Sequence, residues 1–350
     1  MDGMDRDEEL KASNKLINAL GDVIRKMDTT TMPRCKFCQS DNVVFNGHRK
    51  GTQYYLCRNC GRGFVNNKSV PRGRFPIDTV AGALYNYYAG MSLNAICEGI
   101  KQSKQDDTSV SDTTIYNWLK KYTAIALNEA GNHKPQVGKK WVMDETVVKL
   151  NGKKHWLITA IDKDTRFLVG MKLSTNRNRK DIQEVLEHAT ASTGVIPSEI
   201  LTDGWVGYPD AVEQAYGADA KHIKSTPFTD KELSTNLMER WNGTLKDRLK
   251  PMRGMDRNSN MQLILDGFVF FYNYLRPHMG LGGQTPAQAA KTGYPYESWG
   301  DVVRSEMPNV EMTDEDRNRY KVERKARRIK QRAGRLGRCG TVTSVGGLRH

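Results

Sequence analysis

The stretch KKWVMDETVVKL, then Asn151-Gly152, then KKHWLITAID constrains the fold more than any other part of the chain. Two runs rich in Val, Ile, Thr and Trp flank an Asn-Gly pair, which suits the two left-handed positions of a tight hairpin turn. Two antiparallel strands are therefore predicted, and FLVGMKLS continues them as a third. Residues 181 to 193 read as an amphipathic helix, and SEILTDG as a short buried strand ending in a turn. Residues 209 to 216 form another helix, KHIKS a further strand, and helices follow at about 232 to 250 and 259 to 276. Strands, a helix, a strand and then helices make an α/β layer architecture with a mixed sheet.

The organisation upstream is different. Residues 1 to 30 read as a short amphipathic packing helix through Leu10, Leu16, Ile17, Leu20, Val23 and Ile24. Residues 31 to 67 hold CKFC and CRNC, two pairs enclosing 18 residues, which is the spacing of a four-cysteine zinc site. Each Cys-x-x-Cys bends the chain so that both thiolates reach one ion, and Cys35, Cys38, Cys57 and Cys60 complete a tetrahedron with no position left for catalysis. The β-rich segments between the pairs suit a zinc ribbon whose surface is basic through Lys36, His48, Arg49, Lys50, Arg58 and Arg62. Cys97 and Cys339 are read as plain free thiols.

A linker, KSVPRGRF, opens the segment 68 to 130, which carries three helical patterns. MSLNAICEGI and SVSDTTIYNWLKKY read as helix, loop, helix, with Ser111 or Asp112 capping the second. Ile115, Trp118 and Leu119 form its core face, leaving Thr113, Thr114, Tyr116, Asn117 and Lys120 outward as recognition positions of a helix-turn-helix. A three-helix packing module fits the same pattern.

Charge points to the partner. Of the net +14, +10 lies within residues 317 to 338, in a tail taken as 291 to 350, where Arg dominates and Glu323 is the one acid. That composition suits a phosphate-binding arm, or a solvated tail. No apolar run approaches the roughly 20 residues of a membrane span, and the acidic opening MDGMDRDEEL lacks signal-peptide character, so a reducing compartment is expected.

Three carboxylates carry the candidate chemistry. Asp144 sits inside an apolar strand, where a carboxylate is costly unless a cation or hydrogen bonds compensate it. Glu145 follows, but alternation lets only one of the two face a given site. Asp203 ends the strand EILTDG, at the edge where α/β sheets place functional groups. Glu239 lies on a helix whose residues Thr235, Glu239, Asn242 and Lys246 make one polar stripe, beside an apolar stripe of Leu237, Met238, Trp241, Leu245 and Leu249. Gly243 in mid-helix suggests close approach by another backbone or a phosphate. Asp162 and Asp164 read as turn residues and Glu232 as a first-turn acid, while His155, His222 and His278 have no ligand spacing. Trp205 is read as packing, or as stacking on an unpaired base.

The order D, D, 35 intervening residues, E resembles the DDE transposase and integrase superfamily. The match is closest to insertion-sequence-six-like transposases of small prokaryotic elements. WVMDETVVKLNGKKHWLITAIDKDTRFLVG, LTDGWVGY and NLMERWNGTLKDRLKPMRG with FYNYLRPHMGLGGQTPAQAA carry the resemblance. It implies a ribonuclease-H-like catalytic domain over residues 136 to 290, with Asp144, Asp203 and Glu239 as a magnesium-binding triad. Lys246 would contact the DNA end, and Arg240, Arg248, Lys250 and Arg253 would hold the phosphate backbone. Two Mg²⁺ ions, replaceable by Mn²⁺, would activate water and then a 3′-hydroxyl for in-line displacement at phosphorus. A homodimer or larger assembly on element ends and target DNA, in the cytoplasm at the nucleoid, is also implied. The alternatives are a catalytically silent DNA-binding regulator and a ribonuclease-H-type nuclease.

Overall fold

A computed structural model of the protein describes residues 32–103, 109–150, 153–225, 236–250 and 261–307. The N-terminal helix expectation, the Asn151-Gly152 turn, Glu232, Thr235, Arg253, Cys339 and residues 308–350 of the tail lie outside the described residues, while the start of the expected tail is ordered and carries a helix, Trp299–Arg304, with Trp299, Val302 and Val303 buried. The chain divides into two units, residues 1–75 with 305–350, and 76–304.

In the first unit, β1 (Val43–Arg49), β2 (Thr52–Cys57) and β3 (Gly63–Val65) form an antiparallel sheet in that order. Two equivalent knuckles flank it. The Cys35 carbonyl accepts from Gln39 N and the Cys57 carbonyl from Gly61 N, both at 2.8 Å, and Gln39 and Gly61 both take positive φ. The four cysteines, Val43 and Phe64 are buried together, with Phe37 and Tyr55 against them. The linker reading of 68 to 75 is only half right. Ser69 and Val70 are buried, and Lys36 Nζ donates to Asn67 and Ser69, so the first residues fold back onto the ribbon.

The second unit opens with α1 (Ile77–Tyr88), α2 (Leu93–Ser103) and α3 (Asp112–Ala130). Ser111 caps α3 by accepting from Thr114 N. Ile115, Leu119, Tyr122, Thr123 and Ala126 form its buried stripe, with Trp118 half-buried beside it.

Next come β4 (Lys140–Leu150), β5 (Lys153–Asp162), β6 (Leu168–Ser174), α4 (Arg179–Thr193), β7 (Glu199–Thr202), α5 (Gly207–Tyr216), β8 (Lys221–Lys224), α6 (Asn236–Leu249), α7 (Met261–Phe270), α8 (Pro286–Ala289) and α9 (Trp299–Arg304). The sheet runs β6-β5-β4-β7-β8, with β4 to β6 antiparallel and β7 and β8 parallel to β4. That mixed order is the ribonuclease-H-like one. Trp141, Met143, Ile158 and Ala160 project from one face into a core with Ile182, Val185 and Leu186 of α4 and Tyr208, Ala211 and Val212 of α5. Neighbouring positions on β4 alternate to the other face, over which α6 packs.

The C-terminal helix departs from the expected continuous run to residue 276. After Phe270 it loosens into a π-helical turn, residues 271 to 275. There Asn273 accepts from Leu168 N at 2.9 Å and donates to Leu168 O at 3.0 Å, tying the turn to the start of β6. The helical middle is not a free-standing module. Tyr88 OH and Thr123 Oγ1 lie 2.7 Å apart, and a Cβ on Gly267 of α7 would meet Tyr88 Oη at 2.1 Å. Glycine is what lets α7 approach α1 and α3 so closely. Among the described residues no helix is long and apolar enough to cross a membrane.

Candidate active site

β7 is short, and its pairing with β4 is recorded only as far as Val142↔Leu201. Beyond that point no described strand pairs with this edge of β4, and Asp144 lies level with Asp203, the first residue after β7. Ligand oxygens of Asp144, Glu145 and Asp203 all fall within 4.8 Å of one another. Both Asp144 and Glu145 thus bring an oxygen near Asp203, although alternation sends the two side chains to opposite faces.

Their environments separate them. The Asp144 Oδ2 accepts 2.8 Å from Asn242 Nδ2 of α6, and burial pushes its carboxyl up to about 6, with the Glu145 and Asp203 charges adding to the rise. Asp203 is half exposed, and its Oδ1 accepts from Trp205 N at 3.0 Å across Gly204, whose φ of +86° permits the tight turn. Glu145 has a side chain only 1% exposed and both oxygens engaged: Oε1 accepts from Arg177 Nε at 2.8 Å and Oε2 from Tyr208 OH at 2.6 Å. Burial first, then the Glu145 charge, raise the Tyr208 hydroxyl well above its ordinary value, so it stays a donor. Burial opposes the Arg177 cation, yet Glu145 outweighs it and the guanidinium is held more firmly charged.

The donor set fits hard divalent cations. Asp144 and Asp203 keep oxygen lone pairs uncommitted, and Asn242 Oδ1 is buried beside them without a partner. Glu239 is exposed and outside the 4.8 Å group. It lies three residues before Asn242 on the same helical stripe, so its Cβ sits about 5–6 Å from that of the residue touching Asp144. Lys246 and Arg240 are exposed. Arg248 is placed differently from expectation: its guanidinium donates to the Ala89 carbonyl at the end of α1. Lys250 pairs with Asp247 at 3.0 Å on the surface. Among the described residues nothing lies within 4 Å of a Cβ built on Gly243.

On α3, Thr113 and Asn117 are exposed and Thr114 and Lys120 half-exposed. Tyr116 is turned in, its hydroxyl buried without a partner, with Lys120 Nζ 5.0 Å from its ring. It is not an outward recognition position. Asp162 Oδ2 caps its own turn through Thr165, His222 meets Thr202 Oγ1 at 2.8 Å, and His278 bonds the Tyr272 carbonyl. Reading the sequence missed Arg177, Tyr208 and Trp156 altogether. Their partners are far off in the chain, and no spacing signals them.

The cysteine cluster passes its own test. Four sulfurs around zinc at about 2.3 Å sit about 3.8 Å apart. Cys35 to Cys60 is 3.7 Å and Cys38 to Cys57 is 3.6 Å, with all four within 4.8 Å. Hydrogen bonding from Cys35 pulls the Cys60 thiol down to about 5 against its burial, so one thiolate is already favoured.

A family model described as a DDE domain matches residues 138–278. No curated protein matches the chain. Among solved structures, the catalytic core domain of HTLV-2 integrase in complex with magnesium is 19% identical in a dimeric form, with a TM-score of 0.36, covering 45% of this chain and 97% of that one. The simian T-cell lymphotropic virus intasome is 20% identical with a TM-score of 0.38, covering 59% of this chain and 73% of that one.

Proposed function

We propose, from the premise that residues 138–278 are a DDE domain, that this protein is a transposase. It would cleave the ends of a DNA element to expose 3′-hydroxyls and join them to target DNA. The observation that carries the reading is the meeting of Asp144 and Asp203 at the end of β7, beneath a helix that brings Asn242 onto Asp144 and carries Glu239 one helical turn earlier.

Asp144, Asp203 and Glu239 are the residues that would hold the magnesium. Bound there, the metal supplies charge neutralisation and activation of the attacking and leaving oxygens. The protein's own contribution is positional. Asn242 orients the Asp144 carboxylate, and the Gly204 turn orients that of Asp203. Lys246 lies seven residues after Glu239 on the same exposed stripe, where it and Arg240 would meet the phosphates of an element end. Thr113, Asn117 and Lys120 on α3, and the basic tail, supply further DNA-facing groups. The zinc would hold the ribbon folded without entering the reaction. A homodimer or larger assembly on paired ends in the cytoplasm completes the proposal.

The test is nicking of DNA carrying the element's terminal repeats by zinc-loaded protein. Mg²⁺ or Mn²⁺ should be required, and Asp203→Asn should abolish the reaction while end binding persists. Wild-type protein that binds the ends and never cuts in either metal would sink the enzyme reading and leave the silent regulator.

A further inference from the structure

Three carboxylates within 4.8 Å of one another repel strongly unless a cation sits among them. The protein places one there. Arg177 Nε is 2.8 Å from Glu145 Oε1, and its Nη2 is 3.9 Å from Asp203 Oδ2. Its guanidinium lies 5.1 Å from the Trp156 ring centroid and 4.4 Å from that of Trp205. Each indole comes from a different element. Trp156 stands on β5 on the face that Glu145 shares, two residues before its cross-strand partner Ile158. Trp205 follows the Asp203 turn, and its ring lies over Gly207, where a Cβ would come within 2.0 Å of the ring. Only glycine leaves that seat open, and the seat fixes the ring against Arg177. A planar, delocalised cation suits a slot with two aromatic walls, and a lysine would not.

Glu145 completes the arrangement. Its buried charge is met by Arg177 on one oxygen and Tyr208 on the other, so the residue next to Asp144 anchors the arginine. We propose that Arg177 is a positioning residue of the metal site: an internal cation, clamped by Trp156 and Trp205 and anchored on Glu145, that holds Asp203 level with Asp144 and keeps Glu145 out of the coordination shell. This rests on the metal-site reading of Asp144 and Asp203. It adds a consequence which that reading lacks. The pocket's net charge is set by four side chains, Asp144, Glu145, Asp203 and Arg177, and Arg177 limits how tightly it binds a divalent ion in exchange for a fixed geometry.

The experiment is a titration of the full-length, zinc-loaded protein with Mn²⁺, followed by the electron paramagnetic resonance of the free ion and by tryptophan emission. Arg177→Gln removes a positive charge and should bind Mn²⁺ on the order of tenfold more tightly while cleaving end DNA more slowly. A double variant, Glu145→Gln with Arg177→Gln, restores the net charge and should return the affinity to within about threefold of wild type. If Arg177→Gln leaves the affinity unchanged or lowers it, or if the double variant binds on the order of tenfold more weakly than wild type, Glu145 is a ligand or Arg177 a packing residue, and the proposal falls. Arg177→Lys guards against misfolding. It keeps the charge and should keep the affinity, yet alter tryptophan emission and slow cleavage. Wild-type emission and rate in that variant would overturn positioning. Failure of the underlying reading looks different: wild-type protein would then show no Mn²⁺ binding that Asp203→Asn removes, and both claims would go together.

Discussion

The cysteine cluster and the carboxylate cluster both gather their ligand atoms within 4.8 Å, and they do so in opposite ways. The cysteines come in two short pairs on local knuckles, are all buried, and offer four chemically alike sulfurs. Such a site is closed, and its ion stabilises the fold that makes it. The carboxylates come from two neighbouring strands, differ in burial and partners, and stand where β7 stops and no described strand pairs with that edge of β4. Three acids do not want to be together there. Their proximity is maintained by α6, Arg177 and the surrounding core. On the proposed reading the cysteine module would be held together by its metal, whereas the sheet domain would present a costly cluster to attract one. That would be the difference between a structural and a catalytic centre.

The largest effect that tests this contrast is loss of zinc. Structural zinc contributes about 10–16 kcal/mol to small four-ligand modules. Cys38→Ser or exhaustive chelation should therefore unfold residues 32 to 75, read as protease sensitivity, while the main thermal transition of the sheet domain persists. Loss of both together would show that the second unit depends on the ribbon.

Asp144→Asn comes next, and its two effects run in opposite directions. Cleavage should fall on the order of a thousandfold, as when a group that stabilises developing charge is removed. In metal-free buffer the same change relieves a carboxyl that burial has raised to about 6, so the melting temperature should rise. The sign follows from linkage. A raised carboxyl binds protons more readily in the folded state, so the wild type loses stability as pH climbs from 3.8, the ordinary value, to about 6, and the variant does not. A gap that is small at pH 4 and has reached its full size by pH 7 is expected. A gap of the same size at both would remove the strained-carboxylate account.

The smallest effect separates two cations on one helix. Lys246→Ala should weaken DNA binding and lower the salt slope by about one, with little change in melting. Arg248→Ala should cost about 1–2 kcal/mol of stability through the lost bond to the Ala89 carbonyl and leave the salt slope alone. The reverse pattern would mean that Arg248 leaves its partner when DNA arrives.

Much of the fold was legible in the residues because its causes are local. The Asn-Gly pair and the alternation on either side predict β4 and β5, and those strands pair from Trp141↔Asp162 to Leu150↔Lys153. The buried stripe of Met238, Trp241 and Leu245 follows from helical periodicity. The site was legible only in part. Asp144 and Asp203 stand out as acids at apolar strand positions. The bonds that assign roles run from Glu145 to Arg177 across 32 residues, from Glu145 to Tyr208 across 63 and from Asp144 to Asn242 across 98. No periodicity reaches that far.

The amino-acid sequence by itself determined the four-cysteine cluster, most strand and helix identities and the pair of aspartates, because spacing, alternation and turn chemistry act over a few residues. The tertiary structure alone decided that β7 ends level with Asp144, and that Glu145 is sequestered while Asp144 keeps free oxygens. It also turned Tyr116 inward and tied Arg248 to α1. Burial and partner choice are properties of elements brought together from distant parts of the chain, and they exist only once the layers have packed.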